Sequence, residues 1–161
     1  MMINLLYYLT YASAVGAGLL AGVFFAFSAF VMQSLAKLPV EKGISAMQSI
    51  NSTILQSSFM LVFMGTTVLS VVLGVASFIK MGRTSAIYVI VGSLLIIFGV
   101  FMVTAIFNVP LNDTLAAATS GSSEGAQTWG EYLVRWVPWN HVRTIASIGA
   151  LISFICAIRR W

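Results

Sequence analysis

The residues best suited to chemistry lie together at the start of the last apolar run. Residues 136–144 include Trp136, Trp139, Asn140, His141 and Arg143, and His141 is the only histidine of the chain. These side chains combine hydrogen bonding, positive charge and a group that titrates near neutral pH. If the protein catalyses a reaction, we expect it beside this stretch.

Further polar side chains are predicted to lie on the same side of the membrane. Asn108 and Asn112 flank Pro110 at the end of the third apolar run, and Gln48 and Asn51 share one helix face above the second. Together with the tryptophans they would form an outward-facing rim pocket. Its candidate binding residues are Gln48, Asn51, Asn108, Asn112, Trp129, Trp136 and Trp139.

Each of these residues also has a purely structural explanation. His141 can be an interfacial residue that contacts water or headgroups, and Arg143 can extend its charge to lipid phosphate. The tryptophans can form an aromatic belt at the interface. Asn140 can be the N-cap of the last helix.

Composition indicates a membrane protein. Of 161 residues, 60 % are hydrophobic and 7 % charged, whereas soluble domains have about 25 % charged residues. The eight Lys and Arg residues are scattered between apolar runs and form no basic face, so we expect no nucleic-acid partner. A single cysteine, Cys156, excludes an internal disulfide.

The apolar runs predict an all-α membrane protein, a four-transmembrane-helix bundle in one domain, 1–161. The predicted helices cover about 5–35, 41–79, 85–107 and 140–158. Pro39 and Glu41 favour a helix start, so the second helix is expected to extend beyond the membrane. The outer loop 108–139 would carry a short amphipathic helix, with Trp129, Tyr132 and Trp136 facing the interface.

Basic residues predict the orientation of the bundle. Lys80, Arg83, Arg159 and Arg160 flank spans on the side of the termini, which carries no acidic residue. Both termini are therefore expected to be cytoplasmic in a multi-pass protein of the cell (inner) membrane.

Small residues in the first span predict close helix packing. Ala14, Gly18, Gly22 and Ala26 recur at every fourth position. Such a stripe lets helix backbones approach closely in a lipid environment. The partner helix can belong to the same chain or to a second copy in a homo-oligomer, and the sequence leaves both open.

The sequence predicts no metal site. A catalytic zinc or iron centre needs about three protein ligands, and His141 has no companion at a suitable spacing. No acidic residue lies inside a predicted span, which argues against a proton-coupled exporter.

Several motifs resemble those of the anthrone oxygenase family. They are residues 27–32 (FSAFVM), 46–51 (AMQSIN), 108–115 (NVPLNDTL) and 139–144 (WNHVRT), together with Trp129 and Trp136. The resemblance extends over nearly the whole chain in the right order. Its most specific pieces are the Asn-Val-Pro-x-Asn and Trp-Asn-His-x-Arg-Thr motifs.

The resemblance implies an oxidation that uses molecular oxygen and neither metal nor flavin, because fungal relatives convert anthrones to anthraquinones. By this analogy His141 would be the base, and Arg143, Asn140 or Asn112 would stabilise the oxyanion. The tryptophans would stack on a flat aromatic substrate.

The leading hypothesis is therefore a membrane-embedded, cofactor-independent oxygenase-like enzyme acting on a lipophilic aromatic, anthrone- or quinol-like molecule. The alternative is a non-catalytic membrane protein that binds a lipid, quinone or haem, or docks a partner. A transporter is the third hypothesis, but the spans offer only mild polar groups such as Thr104.

Overall fold

The computed structural model describes residues 2–80 and 83–161, and helices make up nearly all of them. Helix α1 covers 2–36, as α-helical Met2–Ala26 and Met32–Ala36 around a π-helical segment, Phe27–Val31. Helix α2 is Val40–Leu55, and α3 is Ser58–Lys80.

Helix α4 covers 83–117 and contains two further π-helical segments. It consists of Arg83–Leu94, π-helical Leu95–Met102 and Thr104–Asn108, and α-helical Val109–Ala117. Helix α5 is Ser123–Ile158.

Four helical stretches are long and apolar enough to cross a membrane. They are Asn4–Ala36, Ser58–Ile79, Thr84–Ala117 and Ser123–Ile158. No strand occurs among the described residues. The predicted all-α membrane protein with a four-helix bundle is therefore confirmed.

Three of the four spans are longer than the bilayer requires. Helix α5 has 36 residues, which is about 54 Å at 1.5 Å per residue, whereas the hydrocarbon core is about 30 Å thick. The C-terminal ends of α1 and α4, the N-terminal end of α5 and all of α2 lie on one side. There they form a helical layer at one end of the bundle.

The buried residues divide into two clusters accordingly. The membrane core includes Leu20, Phe24, Phe63, Leu73, Val89, Ile96, Val100, Ala150 and Phe154. The second cluster, here called the cap cluster, consists of Met32, Ile44, Met47, Leu115, Trp129, Tyr132 and Trp136. It joins α1, α2, α4 and α5 above the bundle.

The predicted outer loop 108–139 was wrong in extent. Helix α4 continues through Pro110 to Ala117, and α5 begins at Ser123, so the connection is only 118–122. Pro110 falls in the first turn after a π-helical segment, where a missing N–H is tolerated. The N-cap of α5 is Ser122, whose Oγ accepts a hydrogen bond from Gly125 N at 2.9 Å, and not Asn140.

The predicted amphipathic helix exists as the first part of α5, but its aromatic face points inward. Trp129, Tyr132 and Trp136 are only 3 %, 2 % and 5 % exposed, because α2 and the end of α4 cover them. The predicted single helix 41–79 is also wrong, since Gln56 and Ser57 separate α2 from α3. The Ser57 hydroxyl accepts from Phe59 N at 3.3 Å and so caps α3.

Small residues mark the closest helix contacts, although the stripe in α1 is only partly used. A Cβ added at Gly16 would overlap Thr66 of α3, and one added at Gly99 would lie 2.5 Å from the Ala146 Cβ. Gly22 is exposed, with no neighbouring atom within 4 Å of an added Cβ. The homo-oligomer stays a prediction. In the predicted turn 80–84, residues 81 and 82 lie outside the described residues.

Candidate functional site

One face of α5 carries the polar residues of the site. Trp136, Asn140 and Arg143 are spaced by four and three residues, and they are 5 %, 0 % and 6 % exposed. Because a helix turns about 100° per residue, this spacing places them on one inward face. His141 is one residue further along from Asn140, and it is exposed.

Arg143 is held by hydrogen bonds and by aromatic rings. Its Nη2 donates to Asn140 Oδ1 at 2.7 Å, and its Nη1 donates to Thr104 Oγ1 at 3.3 Å. The guanidinium carbon lies 4.5 Å from the centroid of the Phe24 ring and 5.0 Å from that of Trp136. The buried Nε has no protein partner. The Nε–H donor of Arg143 is therefore available to a ligand.

The charge of Arg143 is not balanced by a neighbouring carboxylate. All four acidic side chains, Glu41, Asp113, Glu124 and Glu131, are exposed. The described partners of Arg143 are an amide, a hydroxyl and two rings. A buried cation without a counterion is costly, since its hydration is lost. A negatively charged or strongly polarised ligand oxygen would supply the missing partner.

Asn140 fixes α5 to α1 beside the π-helical segment of α1. Its Nδ2 donates to the Phe24 carbonyl at 2.7 Å and to Ser28 Oγ at 2.7 Å. Its Oδ1 accepts from Arg143. Because its amide makes all these hydrogen bonds within the protein, Asn140 orients the guanidinium of Arg143 and has little capacity left to bind a ligand. π-Helical segments are common at functional sites.

Asn112 is oriented by two donors. Its Oδ1 accepts from Tyr132 Oη at 2.8 Å and from Trp136 Nε1 at 2.9 Å. An indole N–H can only donate, so the atom it faces must be the amide oxygen. The Nδ2 of Asn112 is then the end that can donate to a ligand. The buried Nδ2 of Asn51 has no partner either.

These groups meet at a cavity of about 250 Å³ between the membrane core and the cap cluster. Five predicted site residues line it, namely Asn51, Asn112, Trp136, Asn140 and Arg143. The remaining lining is mostly apolar and aromatic, and includes Phe24, Phe27, Met47, Phe59, Met60, Phe63 and Phe101. The volume is close to the lower limit of ligand pockets, roughly 300 Å³.

The other predicted site residues lie outside the cavity lining and have structural roles. Asn108 Nδ2 donates to the Trp136 carbonyl at 3.3 Å, in the turn that contains Pro138. Gln48 Nε2 donates to the carbonyls of Leu115 and Ala118, at 2.8 and 3.0 Å. Gln48 thereby ties α2 to the end of α4.

Trp129, Trp139 and His141 also lie outside the cavity lining. Trp129 stacks on Tyr132 inside the cap cluster, with centroids 5.8 Å apart, and Trp139 stacks on Phe107 at 3.6 Å. His141 is exposed and does not line the cavity. Asn51 and Asn112, in contrast, do line it.

Sequence reasoning missed residues that the cavity uses. Phe24 and Thr104 contact Arg143, and Tyr132 orients Asn112. Phe24 is one of 11 phenylalanines and carries no local signal. Tyr132 could have been found, because it recurs with Trp129 and Trp136 at helical spacing.

Comparison with known proteins identifies the family. The family model described as Anthrone oxygenase matches residues 59–153. The chain belongs to the anthrone oxygenase family. No curated protein and no solved structure matches it.

The family match covers part of the cavity. It includes α3 except Ser58, all of α4, and α5 up to residue 153, and therefore Thr104, Asn112, Trp136, Asn140 and Arg143. It does not extend to α1 or α2, which contribute Phe24 and Asn51. The predicted membership of the anthrone oxygenase family is therefore confirmed. The matched range, 59–153, is shorter than the resemblance between the motifs, which extends over nearly the whole chain.

Proposed function

We propose that the protein is a membrane-embedded oxygenase that oxidises a flat, lipophilic, anthrone-like aromatic molecule in the cavity beside Arg143. Molecular oxygen is the co-substrate, and no resident cofactor takes part. The observation that carries the proposal is the buried, uncompensated guanidinium of Arg143 in a cavity lined mainly by aromatic and aliphatic side chains.

The reaction balances without a further oxidant or reductant. An anthrone has a CH2 group opposite its carbonyl; with one O2 it gives an anthraquinone and one water. The CH2 group first gives a proton to a water molecule, and the resulting enolate transfers an electron to O2. The two radicals combine to a peroxide anion at that carbon, which takes the proton back and becomes a hydroperoxide. Loss of water from the hydroperoxide leaves the second carbonyl.

The residues of the cavity would favour the enolate. Arg143 Nε, Asn51 Nδ2 and Asn112 Nδ2 are the available donors for its oxygen, in a site with little water, where such donors act strongly. Phe24 and Trp136, which already contact the guanidinium, offer aromatic faces to a flat ring system. The proposal gives no catalytic role to His141, because its side chain is exposed outside the cavity.

The residue types of the lining offer no set of metal ligands. The lining contains no His, Cys, Asp or Glu. The described part of the chain also has no group of three such residues close enough to hold a metal ion. The chemistry proposed here requires only stabilisation of an anion that reacts with O2 directly.

The same observation favours a second candidate function. A lining without a carboxylate, histidine or cysteine lacks an ordinary general base. The protein would then bind a lipophilic molecule with an anionic oxygen and catalyse nothing.

The orientation of the protein in the membrane is part of the proposal. We place both termini in the cytoplasm and the cavity near the outer surface of the cell membrane, since Arg159 and Arg160 follow the last span on the side opposite to the cap cluster. A protease-cleavable tag at the C-terminus, protected in intact cells and cleaved after permeabilisation, tests this orientation.

Oxygen uptake by purified protein in phosphatidylcholine liposomes tests the function. With anthrone and ¹⁸O2, we expect uptake above autoxidation and one ¹⁸O atom in each quinone formed. The Arg143→Met variant is expected to lose this excess, whereas His141→Ala keeps it. Binding of anthrone by folded protein with no excess turnover would refute the enzyme and support the binding protein.

A further inference from the structure

The residues at the opening of the cavity are all apolar. Four lining residues are exposed, and they are Leu55, Met64, Ala105 and Val109. Leu55 ends α2, Met64 lies in α3, and Ala105 and Val109 are one turn apart on α4. The exposed fractions of Leu55, Met64 and Val109 are 66 %, 43 % and 41 %. The lining thus reaches the surface between α3 and α4.

The opposite parts of the lining are closed. Met47 and Trp136 belong to both the lining and the cap cluster, and they are 1 % and 5 % exposed. Below the opening, α3 and α4 meet through Phe63 and Phe101, whose ring centroids are 6.0 Å apart. The cap cluster thus covers the cavity towards water, and the two rings close it towards the membrane core.

The opening lies at the outer edge of the apolar span. Helix α2 exposes Glu41 and Lys42, so it belongs to the aqueous side, and the apolar part of α3 begins directly after it, at Ser58. On α4, exposed Asp113 is one turn beyond Val109. The opening therefore faces the outermost hydrocarbon of the bilayer and not bulk water.

We propose that the cavity takes up its ligand sideways from the bilayer, through a lateral opening between α3 and α4 formed by Leu55, Met64, Ala105 and Val109. The ligand enters with its oxygen end first. Polarity increases along this path, from the four apolar residues to Asn140 and Arg143, which are almost fully buried. The class of ligand rests on the proposed function, whereas the lateral opening rests on the geometry alone.

Photolabelling by lipid tests the opening without any need for turnover. Phosphatidylcholine with a diazirine near the middle of one acyl chain is mixed into liposomes that contain the protein, and labelled residues are found by mass spectrometry. Phe63 and Phe154 are a matched pair of buried phenylalanines, 5 % and 0 % exposed, of which only Phe63 lines the cavity. We expect label on Phe63, competed by anthrone, and none on Phe154.

A variant with a narrower opening tests whether the ligand enters through it. Ala105→Phe places a ring in the opening, and the control Ile106→Phe enlarges a neighbouring residue of α4 that is 53 % exposed and does not line the cavity. We expect the association rate of anthrone, followed by quenching of tryptophan fluorescence, to fall about tenfold in Ala105→Phe, as for a binding path that is obstructed. The control should keep the wild-type rate.

The two results separate this proposal from the proposed function. Label on Ile106 but none on Phe63 would overturn the lateral opening, as would equal association rates in the two variants. Label on Phe63 and slow association in Ala105→Phe, without turnover in the wild type, would retain the opening and refute the enzyme.

Discussion

Replacing Arg143 by Met separates the function of its charge from its contribution to folding. The substitution keeps a long apolar side chain and removes the buried cation. It also removes the donors to Asn140 Oδ1 and Thr104 Oγ1, at 2.7 and 3.3 Å, and the contacts with two aromatic rings. Folding and ligand binding should respond in different ways.

For folding, the loss of hydrogen bonds and cation–π contacts is nearly offset, because the variant no longer buries a charge. An acceptor left buried without its donor costs about 1–3 kcal/mol, and each cation–π contact about 0.5–2 kcal/mol. Removing a buried charge that has no counterion returns several kcal/mol of desolvation, roughly the same amount. We therefore expect the thermal unfolding temperature of Arg143→Met to stay close to that of the wild type.

For the reaction, nothing replaces the lost charge. Removing one preorganised donor from an oxyanion site costs about 2.7–4 kcal/mol, a factor of roughly 10² to 10³ in rate. Arg143→Lys keeps the charge but loses the planar fork that contacts Asn140 and Thr104 together, so we expect an intermediate loss of about tenfold. Oxygen uptake with anthrone in liposomes measures both variants.

The reasoning fails in either of two outcomes. A well-folded Arg143→Met protein with wild-type turnover would show that the guanidinium does not stabilise the reacting anion. Full activity of Arg143→Lys would show that the planar fork of Arg143, which contacts Asn140 and Thr104 together, is not needed to place the charge.

Three further predictions concern other residues of α5 and its N-cap, namely Asn140, His141 and Ser122. Asn140→Ala removes the amide that joins α1 to α5, with its hydrogen bonds to the Phe24 carbonyl and Ser28 Oγ and from Arg143. We expect a loss of about 2–5 kcal/mol of stability, measured as a lower unfolding temperature; an unchanged temperature would contradict this. His141→Ala should leave turnover unchanged, and a loss of turnover would restore the histidine as the base. Ser122→Ala removes the N-cap of α5 and should cost about 1 kcal/mol, while Ser122→Asp should retain the wild-type unfolding temperature.

The sequence was sufficient for the number and type of the spans, because helices exposed to lipid must be apolar along their whole length. It failed at their outer ends. Pro110 was interpreted as the end of the third span, although it lies in the first turn after a π-helical segment, where a missing N–H is tolerated. The last helix was predicted to begin at residue 140, although α5 continues through Pro138. Because proline usually ends or kinks a helix, neither continuation has a local signal.

The site followed from the sequence only in part. Asn51, Asn112, Trp136, Asn140 and Arg143 were predicted and do line one cavity. Gln48, Asn108, Trp129 and Trp139 share their residue types but have other contacts. Gln48 and Asn108 bind backbone carbonyls, Trp129 packs in the cap cluster, and Trp139 stacks on Phe107. Residue type alone does not distinguish an amide that binds a ligand from one that binds a carbonyl, since both need the same donors and acceptors.

The position of His141 outside the cavity lining has a geometric origin. With a helix assumed to begin at residue 140, Asn140, His141 and Arg143 would all lie in its first turn, where side chains in different directions can still reach one rim. Because α5 begins at Ser123, these residues are instead in the middle of a continuous helix, and its phase assigns each to one side. Asn140 and Arg143 share the inward phase with Trp136, and His141 does not. The start of α5 at Ser123, and not at residue 140, is thus the reason why Arg143 faces the cavity and His141 does not.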